Sequence, residues 1–380
     1  MRILVWQWGR RGAGPRVATE LAASLGRLPG QQVFLSLSTR AEILGSRDGL
    51  PCALPVATYG GMIGYVCRLL LAPLTVGSLM RRIRRLAPDV AICAMPGPLD
   101  LVMAWALRRL RVKVVVTVHD ADLHPGDGFP MQMVLQRRLI RRADALIALT
   151  GHVAARLRQQ QAARGKTLLT ASLPPFVFGP RSALPLSHGG AMRLLCFGRL
   201  LPYKGLDLLE AALSGIGEVP PYEVRIVGQG PDSEALQALA ALPGVRVENR
   251  WVPEDEVGAL IAWADAVLLP YREASQSGVA AIAIAAGRWV VATRVGGLAE
   301  QFRDEPLALL CEPQPESIRA ALTHLLEAPP APPDAHADPR DRWREMAEQL
   351  VRQISETLFE RDAATCEALE DAPRVETVRA

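Results

Sequence analysis

The sequence predicts an α/β fold of two tandem doubly wound, Rossmann-like domains facing each other across a cleft. Three observations carry that prediction. Apolar runs of strand length alternate with amphipathic segments along most of the chain. The rhythm breaks at 171–190, where four prolines and three glycines cluster, and then resumes. The 380 residues, 49% of them hydrophobic, suit two or three domains with large cores.

In the first half, Ile3–Trp6, Gln32–Leu37, Val90–Ile92, Lys113–Val118 and Ala145–Leu149 read as buried strands. Helices are expected between them at Pro15–Leu25, Leu69–Leu86, Pro98–Arg109 and Met131–Arg142. Residues 171–190 read as an interdomain connection, giving a first domain over 1–178 and a second over 190–335. In the second, strands are expected at Leu194–Phe197, Tyr222–Val227, Val245–Glu248, Ala266–Leu269, Trp289–Thr293 and Leu307–Leu310. Helices fall at Leu206–Ser214, Ser233–Ala241, Glu254–Trp263, Val279–Ala286 and Pro315–Glu327. Residues 328–339 are rich in Pro, Ala and Asp and read as a surface loop. A final helix, Arg340–Leu358, is expected to pack back on the first domain, with a polar tail at 360–380. Sheets of this kind bind ligands at the carboxyl ends of their strands, so two in tandem can share one cleft site.

Charge divides the chain. Residues 1–180 carry 24 Lys and Arg against 9 Asp and Glu, whereas residues 181–380 carry 19 against 30. A front half at +15 suits an anionic surface or partner. With 5% aromatics and neither a stacking motif nor a helix-turn-helix pattern, an acidic membrane is favoured over nucleic acid. Gly60–Met80 is nearly continuously apolar, but Arg68 and Pro73 interrupt it and Arg81, Arg82, Arg84 and Arg85 follow. It reads as a core or interfacial helix rather than a span. Six scattered cysteines form no C-x-x-C pair, and the N-terminus enters a strand without an h-region. Both point to a reduced, cytoplasmic setting.

The most informative stretch is Phe197–Gly205, F-G-R-L-L-P-Y-K-G, between a strand and a helix. Gly198 lets the backbone approach a ligand closely, while Arg199 supplies a planar fork and Lys204 a point charge. At a helix N-terminus, these suit a diphosphate. Tyr271–Gly287 is a second strand-to-helix junction. There the amides and hydroxyls of Ser275, Gln276, Ser277 and Gly278 can meet an anion, although a simple serine cap accounts for the same residues. Val227–Pro231 is a Gly-rich turn whose Gly228 and Gly230 can contact a nucleotide. Trp251 and Val252 follow another strand as base-pocket candidates, with a core role open to Trp251. Trp8–Pro15 is a glycine-rich turn that lacks the dinucleotide fingerprint. His119, Asp120 and His124 cluster after a strongly apolar strand. Metal binding, a structural histidine and cleft chemistry are all open for them.

Five elements occur in order: G-R-L-x-P-x-K-G, V-G-x-G-P, V-P-x-x-E, S-G-V and G-x-x-V-V-A-T-x-V-G-G-L. Over Ala191–Leu326 the chain resembles the C-terminal domain of the family 4 retaining glycosyltransferases, of GT-B fold. The first half resembles that family's acceptor-binding domain more loosely. The resemblance implies that Arg199 and Lys204 bind the donor diphosphate and that Ser275–Gly278 add phosphate contacts. His119 would hydrogen-bond the donor sugar, and Asp120 would orient it or the acceptor hydroxyl. Gly9, Gly12 and Gly14 would approach substrate, Arg10 or Arg11 would bind an acceptor phosphate, and His124 would serve the acceptor. The family commonly has two glutamates with seven residues between them at the second helix start. Here those positions are Ala274 and Ile282, with Glu273 one residue early, as in a subgroup lacking the second glutamate.

The implied activity is transfer of a sugar, with retention, from a UDP- or GDP-sugar to a glycan or polyprenyl-diphosphate-linked acceptor in bacterial-type cell-surface polysaccharide synthesis. No metal or other cofactor is required on this reading, because Arg and Lys neutralise the leaving group. The protein would be cytoplasmic and peripheral at the inner face of the cell membrane. Alternatives are a catalytically silent nucleotide-sugar-binding scaffold and a GT-B-fold epimerase.

Overall fold

The computed structural model describes residues 1–45, 51–128, 131–178, 190–331 and 338–360. The tail beyond Glu360, and the connection and loop residues 179–189 and 332–337, lie outside the described residues. The front lobe holds β1 (Arg2–Gln7), α1 (Ala13–Gly26), β2 (Gln32–Leu37), α2 (Met62–Leu86), β3 (Val90–Cys93), α3 (Asp100–Arg109), β4 (Lys113–Val118), α4 (Gln132–Arg142), β5 (Ala145–Ala148), α5 (Gly151–Gln159) and β6 (Thr167–Thr170). The rear lobe holds β7 (Met192–Phe197), α6 (Leu206–Ser214), β8 (Tyr222–Gly228), α7 (Glu234–Ala241), β9 (Val245–Asn249), α8 (Glu254–Trp263), β10 (Ala266–Leu269), α9 (Gly278–Ala285), β11 (Trp289–Thr293), α10 (Gly296–Gln301), β12 (Ala308–Cys311) and α11 (Pro315–Glu327). Helix α12 (Pro339–Ser355) follows.

Each lobe is one six-stranded parallel sheet, ordered β2-β1-β3-β4-β5-β6 in front and β12-β11-β10-β7-β8-β9 behind. The inner strands are short and mostly apolar, as expected where helices cover both faces, whereas the edge strand β9 carries Arg246 and Glu248. The strand order reverses beside β1 in one sheet and beside β7 in the other, which opens a crevice at their carboxyl ends. The ends of β1, β4, β7, β8, β9 and β10 and the loops after them carry the candidate residues, so the topology alone gathers them.

On one face of the front sheet, Val76, Leu79 and Ile83 of α2, Met103 and Leu107 of α3, and Leu139 and Ile140 of α4 form one core. On the other face, α1 and α12 pack together in a core that runs on into the rear lobe. Helix α12 thus packs on the front lobe: Trp343 Nε1 donates to the Pro175 carbonyl at 2.8 Å, and Gln349 and Gln353 donate to Thr170.

The structure adds elements that the sequence reading passes over. Residues Gly151–Thr170 hold α5 and the edge strand β6. In the sequence, Arg294–Leu298, R-V-G-G-L, reads as a loop after the Trp289–Thr293 strand, yet it contains the start of α10. Helix α2 begins at Met62, seven residues ahead of the expected Leu69.

Candidate active site

The β7–α6 turn is built on close backbone contacts. Gly205 stands at φ 67° in the left-handed region. A Cβ there would lie 1.9 Å from the Pro270 carbonyl oxygen, which seats this turn against the end of β10. A Cβ on Gly228 would lie 1.6 Å from the Gly198 oxygen, and one on Gly230 2.0 Å from the Leu200 oxygen. These two glycines therefore let the β8 turn nest under the basic turn. Asn249, unmarked in the sequence reading, exchanges hydrogen bonds with the Gly230 backbone at 3.1 Å each way.

Lys204 packs its ammonium 3.7 Å from the centre of the buried Tyr271 ring. The residue keeps partial exposure. Burial of the ammonium, followed by the Arg199 charge, pulls its pKa down to about 7. Arg199 donates to the Tyr203 hydroxyl at 3.2 Å and pairs with Asp127 of the front lobe. Two cations from one short turn thus face the crevice, and a front-lobe carboxylate neutralises one of them.

At the second junction, Ser277 caps α9 by accepting from Ala280 N at 3.3 Å, while its own N–H donates to Gln301 at 2.7 Å. Ser275 and Ser277 are buried. A Cβ on Gly278 would lie 3.8 Å from that of Ala13, so the N-termini of α9 and α1 meet across the crevice. Ile282 is buried in α9, and Ala274 is buried with its carbonyl accepting from Gly297. Glu273 is exposed and reaches His124 Nδ1 at 3.1 Å.

His119 is buried at the end of β4. Its Nε2 lies 2.8 Å from the Ala94 carbonyl, so that nitrogen carries the proton. Nδ1 then accepts from the Gln276 amide of the rear lobe. Burial lowers its pKa, keeping the ring neutral. His124 differs. Its Nε2 donates to Asp120 at 3.1 Å and its Nδ1 faces Glu273, while the ring stacks on Tyr203 at 4.7 Å. Burial opposes its charge, but the two carboxylates prevail and its pKa rises. Burial would raise Asp120, yet the His124 hydrogen bond and charge hold it below the usual carboxylate range.

The glycine-rich turn after β1 lines the same crevice. Gly9 N donates to Gln7 Oε1 at 2.8 Å, and a Cβ on Gly14 would lie 2.6 Å from Gln7 Nε2. Gly12, at φ 78°, faces Trp251 across the lobes, and the Arg11 guanidinium lies 5.7 Å from that ring. Arg10 points elsewhere, donating to the Gly60 carbonyl at 3.2 Å. Val252 is buried, and Trp251 is partly exposed with its indole N–H unpartnered. Among the described residues, no group of three or more His, Cys, Asp or Glu comes together as a metal site.

Further ties close the crevice, and of their partners the sequence reading singles out only Ser275 as a site residue. Thr150 Oγ1 donates to the Ser275 carbonyl at 3.1 Å. Glu300 accepts from Gly151 N at 2.7 Å and His152 N at 2.8 Å, capping α5 from the opposite lobe. Arg16 pairs with Glu254 at 3.3 Å. A strand-to-helix threonine at 150 followed by Gly151 was the one local signal available for this junction.

Both lobes match known domain families. Residues 191–328 match the family Glycosyl transferases group 1, and residues 11–171 match the Glycosyl transferase 4-like domain. A GDP-mannose-dependent alpha-(1-6)-phosphatidylinositol monomannoside mannosyltransferase of Mycolicibacterium smegmatis is 30% identical over 258 residues. That alignment takes in 62% of this chain and 66% of the relative, so the chain spans just under two thirds of its length. A sucrose-phosphate synthase from Thermosynechococcus elongatus superposes with a TM-score of 0.65 at 18% identity, covering 96% of this chain and 99% of that one. Anabaena HepE in complex with UDP and glucose gives 0.65 at 18% identity, covering 94% and 99%. The fold is that of the GT-B glycosyltransferases.

Proposed function

The chain belongs to the family 4 glycosyltransferases, and we propose that it moves a sugar from a nucleotide-diphosphate sugar to a glycan or lipid-linked acceptor. One observation carries the reading. Arg199 and Lys204, with the amides at the start of α9, face His119 and Asp120 across a crevice at the carboxyl ends of both sheets. The donor diphosphate lies on the two cations and the α9 amides, where developing negative charge is stabilised by groups already in place. The neutral His119 ring faces the sugar, and its Gln276 contact is exchanged for a donor hydroxyl. Asp120 and His124 orient the acceptor. The bond from the anomeric carbon to the diphosphate breaks as the bond to the acceptor oxygen forms on the same face. A leaving phosphate oxygen takes the acceptor proton, and configuration is retained.

The relative's GDP-mannose and the neighbour's UDP support a GDP- or UDP-sugar donor. A phosphatidylinositol mannoside acceptor in that relative supports an anionic, lipid-linked acceptor here, as in cell-surface polysaccharide synthesis. The protein acts in the cytoplasm, peripheral to the inner face of the cell membrane. Incubation of the purified chain with GDP- and UDP-sugars and lipid-linked or glycan acceptors tests the reading. Product with an unchanged anomeric configuration by NMR is expected. Tight nucleotide-sugar binding with no product would instead favour a silent scaffold, the second reading that the apolar Ile282 supports.

A further inference from the structure

We propose that α2 docks the front lobe on an anionic phospholipid leaflet, its first half dipped into the acyl boundary and its arginine-bearing end on the headgroups. The proposal rests on the transferase reading only for what docking delivers. The binding itself stands on the surface.

The helix has two unlike halves. Val76, Leu79 and Ile83 of the second half pack into the front core. Among residues 63–75, none is buried. On the inward side of that first half, Tyr65 meets Tyr59 edge-on at 5.4 Å and Arg68 donates to the Thr58 carbonyl at 3.2 Å. The outward side carries Ile63, Val66, Leu70 and Leu74, spaced three, four and four residues apart and exposed by 83, 47, 73 and 79%. Scattered single apolar residues are ordinary on a protein surface, but an unpartnered stripe three turns long is not. The same spacing carries the stripe through Gly77 into Arg81, Arg84 and Arg85. Apolar side chains and arginines therefore share one face, end to end.

The neighbouring helices continue that surface. Trp105 of α3 is exposed with the Arg109 guanidinium 4.7 Å from its ring. Helix α4 adds Arg137, Arg138, Arg141 and Arg142. The one acidic residue in α2, α3 and α4 is Asp100, wholly buried beneath the β3–α3 loop, where burial raises its pKa to about 7. These three helices thus offer arginines without an exposed carboxylate, complementary to acidic headgroups. Leu123, Met131 and Val134 are exposed too, and Leu123 adjoins His124. They carry the apolar surface to the acceptor side of the crevice, so an acceptor held in the leaflet meets the site by lateral diffusion.

By length and composition, Ile63–Leu86 is apolar enough to cross a bilayer. Its second half is fixed in the front core, so it lies flat instead. A second copy would bring a like-charged face against this one, which argues for lipid as the occupant.

Flotation of the full chain with vesicles of phosphatidylcholine alone or mixed with phosphatidylglycerol, at low and high salt, is the test. Binding is expected to the mixed vesicles, weakening with salt. The triple variant Ile63→Glu/Leu70→Glu/Leu74→Glu should lower the bound fraction by about tenfold or more. Each of Arg81→Glu, Arg84→Glu and Arg85→Glu should lower it about fivefold or more. Matched melting curves and nucleotide binding show that the variants are folded. Absent binding, binding unaltered by the triple variant, or an oligomer that the triple variant converts to monomer would each overturn the proposal. Vesicle binding with no nucleotide binding by the parent chain would leave docking intact and remove the transferase reading.

Discussion

Lys204 is a cation held against an aromatic ring at the mouth of the crevice. An unfolded lysine holds its proton to about pH 10, and the enclosed one only to about 7. Between those values the native state binds fewer protons, so this group makes stability rise with pH. Below 7, enclosing the ammonium costs the fold in full. A bound diphosphate reverses that balance by favouring the charged form. Donor binding at about pH 8 should therefore take up a proton and weaken as pH climbs further. Calorimetric titration in buffers of different ionisation enthalpy checks this, and a buffer-independent heat would contradict it. Arg199→Ala and Lys204→Ala should each lower kcat/KM by the equivalent of about 2–4 kcal/mol in steady-state kinetics. The placement of both cations in one strand-to-helix turn was legible in the sequence, because glycine, cation and helix start lie within nine residues. The contact of Arg199 with Asp127 was not, because it joins positions 72 residues apart.

At the scale of elements, the site depends on two nested turns. Gly228 holds the end of β8 against the Gly198 carbonyl, leaving no room for a methyl group. Gly228→Ala should destabilise the rear lobe by about 3 kcal/mol, read as a lower chemical-denaturation midpoint, and weaken nucleotide binding. An unchanged midpoint would show that the turn can part at little cost. Most strands and helices were legible from apolar runs and helical spacing, with edges off by a residue or two. Helix α5 escaped notice because it buries only Val153, Ala154 and Leu157, and takes its N-terminal cap from Thr150 and from Glu300 in the other lobe. Helix α10 has the sequence of a loop because two glycines open it. Gly297 would place a Cβ 1.9 Å from the Ser275 oxygen, so close backbone packing, rather than turn-making, demands that residue.

At the scale of the molecule, the crevice is held shut by contacts between lobes. His119 meets Gln276, His124 meets Glu273, and Asp127 meets Arg199. None of these pairings has a local sequence signature, although each partner but Asp127 stood out by itself. Asp127 occupies one cation that a donor diphosphate would take, and must yield it. Asp127→Asn should tighten nucleotide-diphosphate binding by about threefold to tenfold in calorimetry, the scale of a half-exposed ion pair. Unchanged or weaker binding would mean that this contact does not compete with donor.

The most direct test of the central claim is a crystal structure of the chain with a nucleotide diphosphate. The phosphates are expected in the crevice, in hydrogen-bond contact with Arg199, Lys204 and the first amides of α9. Phosphates resting away from both the basic turn and that helix start would contradict it.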